Sequence, residues 1–323
     1  MSYAILAPFV LILERWLGYS PSLLRLIGHP VIWFGALIAA LEKRLNTSTR
    51  TPQQLRLAGL VATAILLLVV LACTLLIQHI LRAVPFGWLL EATVATSFLA
   101  QKELGRAVGA VAEALGKSLD AGREAVSHIV GRDPQALGDA GVSRAAIETL
   151  AESTSDGVVA PWFWLVLLGL PGIALYKAIN TADSMIGHPN ERYRYYGWAA
   201  AKLDDWANWL PARFTLVLIT AACFLVPKAS PSDAWNIAKR DARKHASPNS
   251  GWPEAAFAGA LDFALGGPRS YDGVTLDLPV FGNGRSALLA GDILKALLLY
   301  RAALNVLLAL SFLLAAIALA TPS

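Results

Sequence analysis

The chain has 323 residues, of which 56% are hydrophobic and only 15% are charged, and its formal net charge is +4. Its mean hydropathy of +0.52 excludes an ordinary soluble domain. A modest basic surplus is typical of the cytoplasmic loops of membrane proteins and implies no nucleic-acid partner. The isolated residues Cys73 and Cys223 point to neither a disulfide framework nor a zinc site.

The apolar residues occur in long blocks that predict membrane helices. Segment 3–17 has no basic region before it and no clean cleavage site after it, so we predict a retained membrane segment. Segment 57–80 has no formal charge and is long enough to cross a bilayer as a helix. The other strong candidate is 302–320, and weaker ones lie at 86–101, 161–176 and 213–226.

The lengths of these blocks predict an all-α, polytopic integral membrane protein with about 4–6 membrane helices, re-entrant segments included. Residues 18–56 are rich in Lys and Arg, so we assign them to a cytoplasmic loop by the positive-inside rule. The helix over 57–82 then leaves the cytoplasm and 88–101 returns to it. Block 102–160 is therefore cytoplasmic, and its periodicity predicts short amphipathic helices.

Segment 161–176 is short for a span and contains a Gly-Leu-Pro-Gly break at 169–172. The break favours a re-entrant helical hairpin, because irregular backbone is tolerated at membrane depth only where protein or a cavity covers it. If the segment is re-entrant, block 177–213 lies on the same side as block 102–160. If it spans, the two blocks lie on opposite sides. A third polar block follows at 228–286.

Block 177–213 concentrates carboxylates and amides at helical spacing. Asp204 and Asn208 are four residues apart, and Asp205 is adjacent. Oxygen donors clustered in this way suit a hard cation such as Mg²⁺. The alternative is a solvated interfacial helix, and the surrounding Trp and Tyr residues are typical of a membrane-interface belt. One further stripe, at i, i+3, i+4 and i+7, consists of Asn180, Asp183, Ser184 and Gly187.

A second acidic stripe places Glu148, Glu152 and Asp156 at i, i+4 and i+8. Three acids on one helical face repel each other unless basic groups or cations lie opposite. A functional acidic site and an exposed acidic face offset by Arg144 are equally compatible with this spacing.

Two short motifs are candidates for phosphate contacts. Arg132 in the "GRD" at 131–133 places a guanidinium where a predicted helix ends, a position that suits a phosphate. An ordinary surface arginine is equally compatible with this motif. Ser247 and Asn249 in "SPNSG" could reach a phosphate or an amide, or could form only a tight loop before a helix. The stretch "GAVAEALGKS" is not a P-loop, because Val111 replaces the required glycine.

Three stretches together resemble one family. They read "GRD…RAAIETLAESTSDGVVAPWFW", "YKAINTADSMIGHPNERYRYYGWAAAKLDDWANWLPAR" and "DARKHASPNSGWPEAAFAGAL", in that order. They are similar to the adenosylcobinamide-phosphate synthases of cobalamin biosynthesis, the membrane family called CbiB or CobD. Residues 130–290 carry the resemblance. Ser153 and Pro134 depart from the expected pattern, where Asn and Thr are usual.

The resemblance implies an ATP-dependent carbon–nitrogen ligase. Such enzymes join a propionate of adenosylcobyric acid to the amine of 1-amino-2-propanol phosphate, or of ethanolamine phosphate, and the sequence marks neither amine. ATP must first activate the carboxylate, as an acyl phosphate, and the amine must lose a proton before it attacks. The implied cofactors are ATP and Mg²⁺.

The resemblance also implies roles for individual residues within a single membrane-embedded catalytic domain over 1–323. The expected Mg²⁺ ligands are Asp183, Asp204 and Asp205, supported by Asn180, Ser184 and Asn208. Glu152 and Asp156 are expected to be a second metal shell or the general base. The expected phosphate contacts are Arg132, Lys177, Arg192 and Arg213, and the pocket is completed by Ser247 and Asn249. Trp206 and Trp209 are expected either to wall the corrin ring or to anchor the membrane.

The expected partners are the two substrates, the lipid bilayer and other membrane enzymes of the cobalamin pathway. The expected location is the cytoplasmic (inner) membrane of a bacterium, with a cytoplasmic active site. The alternatives are a non-catalytic AmpE-like signalling protein or a corrinoid-binding scaffold, either of which should lack the acidic cluster. A transporter is disfavoured, because its polar residues should lie within the membrane.

Overall fold

The computed structural model describes residues 3–131, 134–267, 269–271, 274–276 and 278–321, and these residues fold mainly as helices. The helices are α1 (Leu6–Leu17), α2 (Pro21–Ile27), α3 (Pro30–Leu45), α4 (Pro52–Arg82), α5 (Gly87–Thr96), α6 (Gln101–Leu115), α7 (Leu119–Ser127), α8 (Asp139–Thr154), α9 (Ala160–Ile186), α10 (Trp198–Ala207), α11 (Trp209–Ala222), α12 (Pro231–Asp241), α13 (Gly251–Leu261) and α14 (Ala290–Ala320).

The chain divides into two compact units. The first unit comprises Met1–Ala100, Ala160–Asn208 and Ser311–Ser323. The second comprises Gln101–Val159 and Trp209–Leu310. Each unit is therefore built from segments that are distant in sequence.

Helix α4 illustrates how local sequence sets a helix start. Thr51 accepts a hydrogen bond from the backbone N–H of Gln54, and the Gln54 side chain accepts one from the backbone N–H of Thr51. This reciprocal capping box satisfies two donors that a helix start leaves unpaired. Pro52 follows at the first helical position, where its fixed φ favours the helix and its missing N–H costs nothing.

The two faces of α4 are those of a membrane helix. Its large side chains are exposed, among them Leu57, Leu60, Leu68, Leu76 and Ile80. Its buried face is mostly small or polar, with Leu66 and Val70 as the larger apolar members, and consists of Ala58, Gly59, Ala62, Thr63, Leu66, Val70, Thr74 and Gln78. Small residues let helix backbones approach closely within a bilayer, where apolar lipid tails can face the large side chains. Gly59 shows the closest approach, since a Cβ added there would lie 1.8 Å from the carbonyl oxygen of Tyr196.

Five helical segments among the described residues are long and apolar enough to cross a membrane. They are Leu24–Leu45, Pro52–Arg82, Asp139–Ile186, Trp198–Leu225 and Ala290–Ala320. The all-α, polytopic fold class is confirmed. The predicted apolar segments at 57–80, 161–176 and 302–320 lie within these spans, and 213–226 does so up to Leu225.

The assignment of 18–56 to a loop is wrong, because α2 and α3 occupy most of it and Leu24–Leu45 is one of the five spans. Its Lys and Arg residues cluster near the helix ends and hid the apolar stretch between them. The segments 3–17 and 86–101 contain only short helices, α1 and α5, and neither is among the five spans. These two helices pack on each other, with Phe9 and Trp88 in edge-to-face contact at 5.0 Å between ring centroids.

The predicted break in 161–176 is present. Helix α9 is interrupted at Gly169, whose φ of 67° and ψ of −152° lie outside the helical region. Beyond it the chain folds back, because a Cβ added at Gly172 would lie 2.4 Å from the carbonyl oxygen of Trp164. Ala160 and Tyr176, on either side of the break, belong to one buried cluster. The segment is thus a helical hairpin, and its re-entrant orientation in a bilayer stays a prediction.

The second unit contains the amphipathic helices predicted for block 102–160, which are α6, α7 and α8. Short strands, which the sequence did not reveal, follow α13. Strand β1 (Leu265–Gly266) pairs antiparallel with the last strand, β4 (Val280–Phe281). Between them, β2 (Arg269–Tyr271) pairs antiparallel with β3 (Val274–Leu276). These two-stranded pairs leave the fold class all-α.

Candidate active site

In the first unit, the carboxylate of Asp204 is held by two asparagines. Asn208 Nδ2 donates to Asp204 Oδ2 at 3.0 Å, and Asn180 Nδ2 lies 3.5 Å from Asp204 Oδ1. Asn208 is itself oriented by the hydroxyl of Tyr176, which donates to Asn208 Oδ1 at 2.8 Å. Lys177 Nζ donates to Asn180 Oδ1 at 3.3 Å. Helices α9 and α10 thus present one connected set of polar side chains.

Asp183 lies one turn beyond Asn180 on α9, close enough that its charge repels that of Asp204. Its Oδ1 atom occupies the space beside Gly187, where an added Cβ would lie only 1.9 Å from it. The glycine therefore leaves room for the carboxylate at the end of the helix. Two acids that approach each other in a partly buried site require compensation by protons or by a cation.

Other residues predicted for this site have different partners. Asp205 Oδ2 is paired with Lys202 Nζ at 3.1 Å, one turn earlier on α10. The guanidinium of Arg192 donates twice to Glu42 Oε1, at 2.9 Å from Nε and 2.8 Å from Nη2. Ser184 is exposed and donates to the Asn180 carbonyl. Asp205 and Arg192 are thus held by ion pairs outside the Asp204 network.

The donor set of the first unit fits Mg²⁺ brought in with a phosphate substrate. Within the described residues, no group of three or more His, Cys, Asp or Glu side chains is arranged to hold a metal. Mg²⁺, however, keeps several waters and is usually bound through one or two carboxylates plus substrate phosphates. Asp183 and Asp204 supply two carboxylates, and their repulsion favours a divalent cation. The arrangement does not fit a cage made by protein side chains alone.

In the second unit, Arg213 is fixed between two aromatic rings. Its guanidinium carbon lies 4.3 Å from the ring centroid of Trp209 and 4.9 Å from that of Trp252. Nη1 donates to the Asn249 side chain at 3.2 Å. Nη1 also donates to the Trp209 backbone carbonyl at 2.6 Å. These contacts orient the planar guanidinium, which is a group suited to an anion. Arg243 lies close enough to interact electrostatically with Arg213, so the local potential is positive.

The loop before α13 brings the predicted residues Ser247 and Asn249 to this arginine. Ser247 Oγ accepts hydrogen bonds from the backbone N–H groups of Asn249, at 3.2 Å, and Ser250, at 3.3 Å. The loop is thereby closed into a tight turn, and Asn249 is buried. The sequence left open whether Ser247 and Asn249 form a tight loop or contact a ligand. The tight loop is confirmed, and the contact with a ligand stays a prediction.

The three acids of the stripe, Glu148, Glu152 and Asp156, have different surroundings. Glu148 is buried and accepts a hydrogen bond from the backbone N–H of Gly266 at 2.6 Å, which makes it structural. Glu152 accepts a hydrogen bond from Ser250 Oγ at 2.9 Å and remains exposed. Asp156 lies in a π-helical turn, Ser155–Val159, an irregularity that often occurs at functional sites. The exposed-face interpretation is therefore wrong for Glu148. Arg132 lies outside the described residues.

One residue of the Asp204 network was missed from the sequence. Tyr176 is buried at the end of an apolar segment, which is the usual setting of a core aromatic residue. Its position four residues before Asn180 places both on one face of α9, and that spacing was the available signal.

The chain is similar in sequence to known proteins over most of its length. The model of the family described as "CobD/Cbib protein" matches residues 7–300. The chain belongs to the CobD/CbiB family. A relative from Brucella suis biovar 1, named cobalamin biosynthesis protein CobD, is 48% identical over 300 residues, 92% of each chain.

Further members of the CobD/CbiB family with the same name show similar coverage. The one from Sinorhizobium fredii is 46% identical over 309 residues, 93% of each chain. The one from Rhodobacter capsulatus is 43% identical over 309 residues, covering 94% of this chain and 95% of the relative. No solved structure gives a significant match. The resemblance found in three sequence motifs therefore extends over nearly the whole chain, and it places the chain in a family of cobalamin biosynthesis.

Proposed function

We propose that this chain is an adenosylcobinamide-phosphate synthase, an ATP-dependent ligase that joins adenosylcobyric acid to 1-amino-2-propanol phosphate or ethanolamine phosphate. The observation that carries the proposal is the Asp204 carboxylate, held by Asn180 and Asn208 and close to Asp183. Membership of a cobalamin biosynthesis family supports a corrinoid substrate. A non-catalytic AmpE-like relative or a scaffold would have no need of this polar network.

The chemistry requires two successive displacements. A carboxylate oxygen of adenosylcobyric acid attacks the γ-phosphorus of ATP, ADP leaves, and an acyl phosphate forms. The amine nitrogen then attacks the acyl carbon, inorganic phosphate leaves, and the amide forms with loss of one proton. Phosphoryl transfer depends mainly on positioning and on neutralisation of charge.

The residues of each unit suit one part of this chemistry. Asp183 and Asp204 would hold Mg²⁺, which when bound neutralises phosphate charge, and Lys177 adds a positive group beside them. In the second unit, Arg213 is oriented for a phosphate by Trp209 and Trp252.

A proton acceptor for the amine is also available in the second unit. Glu152 is exposed and is held in place by Ser250, so it could accept the proton. Asp156 is the second candidate. Asp205 and Arg192 remain proposed substrate contacts, and each already forms an ion pair, with Lys202 and Glu42 respectively.

We further propose that the site faces the cytoplasm of a bacterium from its inner membrane, because ATP is cytoplasmic. The helical hairpin at Gly169 allows blocks 102–160 and 177–213 to lie on that same side. A cysteine introduced at Asn190 tests this topology by labelling with a membrane-impermeant maleimide. Labelling only in inside-out vesicles supports it, and labelling only from the periplasmic side contradicts it.

The function is tested with the purified protein in detergent or nanodiscs. Adenosylcobyric acid, Mg-ATP and each aminoalcohol phosphate are supplied, and the amide is sought by mass together with ADP release. The expected result is a product that requires both ATP and Mg²⁺ and that is lost in Asp204→Asn. Corrinoid binding without any amide, with every substrate present, would identify a scaffold instead.

A further inference from the structure

An apolar groove lies between α4 and α10 in the first unit, and its lining does not include Asn180, Asp204 or Asn208. Its volume is about 370 Å³. Thr63 and Lys202 are its only polar lining residues in the described part of the chain. The lining comprises Leu60, Thr63, Ala64, Leu67, Trp198, Ala199, Lys202, Leu203 and Trp206.

The groove follows one face of each helix. Leu60, Ala64 and Leu67 are spaced at i, i+4 and i+7 along α4, and Trp198 and Trp206 lie two turns apart on α10. Gly59 keeps the two elements together, because its lack of a side chain lets α4 contact the carbonyl of Tyr196. The groove is therefore a product of close packing and not a loose gap.

A positive charge stands at one end of this groove. Arg56 precedes Leu60 by one turn on α4, immediately before the uncharged segment 57–80. Its guanidinium carbon lies 5.7 Å from the ring centroid of Trp198 and 5.8 Å from that of Tyr195. The rings orient the guanidinium without neutralising it, so its charge is available to an anion at the membrane interface.

We propose that this groove binds one anionic phospholipid, with an acyl chain along Leu60, Ala64 and Leu67 and the phosphate at Arg56. From Arg56 to Leu67 the helix rises about 16 Å, which is close to half of a hydrocarbon core of about 30 Å, the depth of one leaflet. Apolar walls, aromatic residues at the interface and a cation at the headgroup level are the three elements that a phospholipid requires.

Arg56 and not Lys202 provides the selectivity for an anionic headgroup. Lys202 is already paired with Asp205 at 3.1 Å, so much of its charge is neutralised. The site goes beyond the proposed ligase activity, since Asn180, Asp183, Asp204 and Asn208 do not line the groove.

Native mass spectrometry of the full chain, stripped of lipid in detergent and titrated with dioleoyl phosphatidylglycerol or dioleoyl phosphatidylcholine, tests the site. The wild type should retain one phosphatidylglycerol in clear preference to phosphatidylcholine. Arg56→Gln should lower the affinity for phosphatidylglycerol about fivefold and leave that for phosphatidylcholine unchanged. Ala64→Trp should fill the groove and weaken both lipids. If it fails to fold, Leu60→Trp replaces it.

Leu68→Trp is the matched control, because Leu68 is an exposed α4 residue that does not line the groove. It should bind both lipids as the wild type does. Equal affinity of the wild type for the two lipids, or an unchanged preference in Arg56→Gln, overturns the proposal. Competition by adenosylcobyric acid that is lost in Ala64→Trp overturns it in favour of a corrinoid pocket.

Discussion

Asn208 donates a hydrogen bond from Nδ2 to Oδ2 of Asp204 at 3.0 Å, and the backbone N–H of Asn208 bonds to the Asp204 carbonyl at the same distance. The residue at the junction of α10 and α11 therefore fixes the carboxylate one turn before it. An amide in this place stabilises a charged acid by donation, whereas a second carboxylate there would repel it. The junction is thus a positioning element for Asp204.

Asp204→Asn and Asp205→Asn should differ in their effects on amide formation. Asp204→Asn replaces the acceptor of two amide donors and removes one of two neighbouring carboxylates, so we expect a loss of about 100-fold or more in kcat/KM. Asp205→Asn releases Lys202 on a surface turn, and the loss should be below about tenfold. The measurement is the rate as a function of Mg²⁺ concentration. Equal losses of kcat/KM in the two variants would contradict the larger role that we assign to Asp204.

Tyr176→Phe should weaken Mg²⁺-dependent activity through Asn208. The hydroxyl donates to Asn208 Oδ1, so its removal frees the amide to rotate away from Asp204. Loss of a buried hydrogen bond also costs about 1–3 kcal/mol of stability.

Tyr300→Phe is the matched control for Tyr176→Phe. Tyr300 is equally buried and donates to the Gln101 carbonyl at 2.8 Å in the second unit. Both variants should lower the unfolding temperature, and only Tyr176→Phe should raise the Mg²⁺ concentration at half-maximal rate. The same Mg²⁺ dependence in both variants would show that Tyr176 is merely structural.

Arg213→Lys should raise KM for a phosphate substrate about tenfold while kcat changes less. Lysine retains the charge but loses the planar group that stacks on Trp209 and Trp252, together with its fixed fork of donors. Arg106→Lys is the control, because Arg106 forms an exposed ion pair with Glu103 on the surface of α6. A larger effect on kcat than on KM would argue against a binding role for Arg213.

Gly59→Ala should destabilise the protein severely. The added Cβ would lie 1.8 Å from the Tyr196 carbonyl oxygen, so α4 or the segment before α10 must move. Overpacking of this kind costs about 1–3 kcal/mol or more. Gly109→Ala is the control, because the nearest atom is 3.9 Å from its added Cβ and helix propensity favours alanine. Thermal unfolding in detergent should separate the two variants, and similar midpoints would refute the close contact.

The parts of this protein that sequence predicted best depend on local patterns. An uncharged segment such as 57–80 predicts a membrane helix from length alone. Gly169 marked the break in segment 161–176, because glycine permits the positive φ found there. The segment 24–45 was missed because basic residues at its ends masked it. Asp204 and Asn208 share a face of one helix, so their pairing was predictable. The pairing of Arg192 with Glu42 joins residues 150 positions apart, which only tertiary packing determines.

Asp241 should make the free energy of unfolding of the second unit depend on pH. Burial alone would raise the pKa of Asp241, but hydrogen bonds from Arg240, Lys244 and the Gly282 backbone N–H outweigh it, and the pKa lies well below its usual value. A lowered pKa contributes stability that is present above the unfolded pKa of about 3.9 and is lost as pH falls below it. Asp241→Asn should therefore be less stable than the wild type by about 1–3 kcal/mol at neutral pH.

That difference should stay constant from about pH 8 to pH 5 and narrow below about pH 4. Unfolding by urea in detergent at several pH values measures it. Asp120→Asn is the control, since Asp120 is exposed in its pair with Arg123 and contributes little at any pH. A difference that already disappears between about pH 7 and pH 5 would show that another group is responsible, because Asp241 remains ionised throughout that range in both the folded and unfolded states.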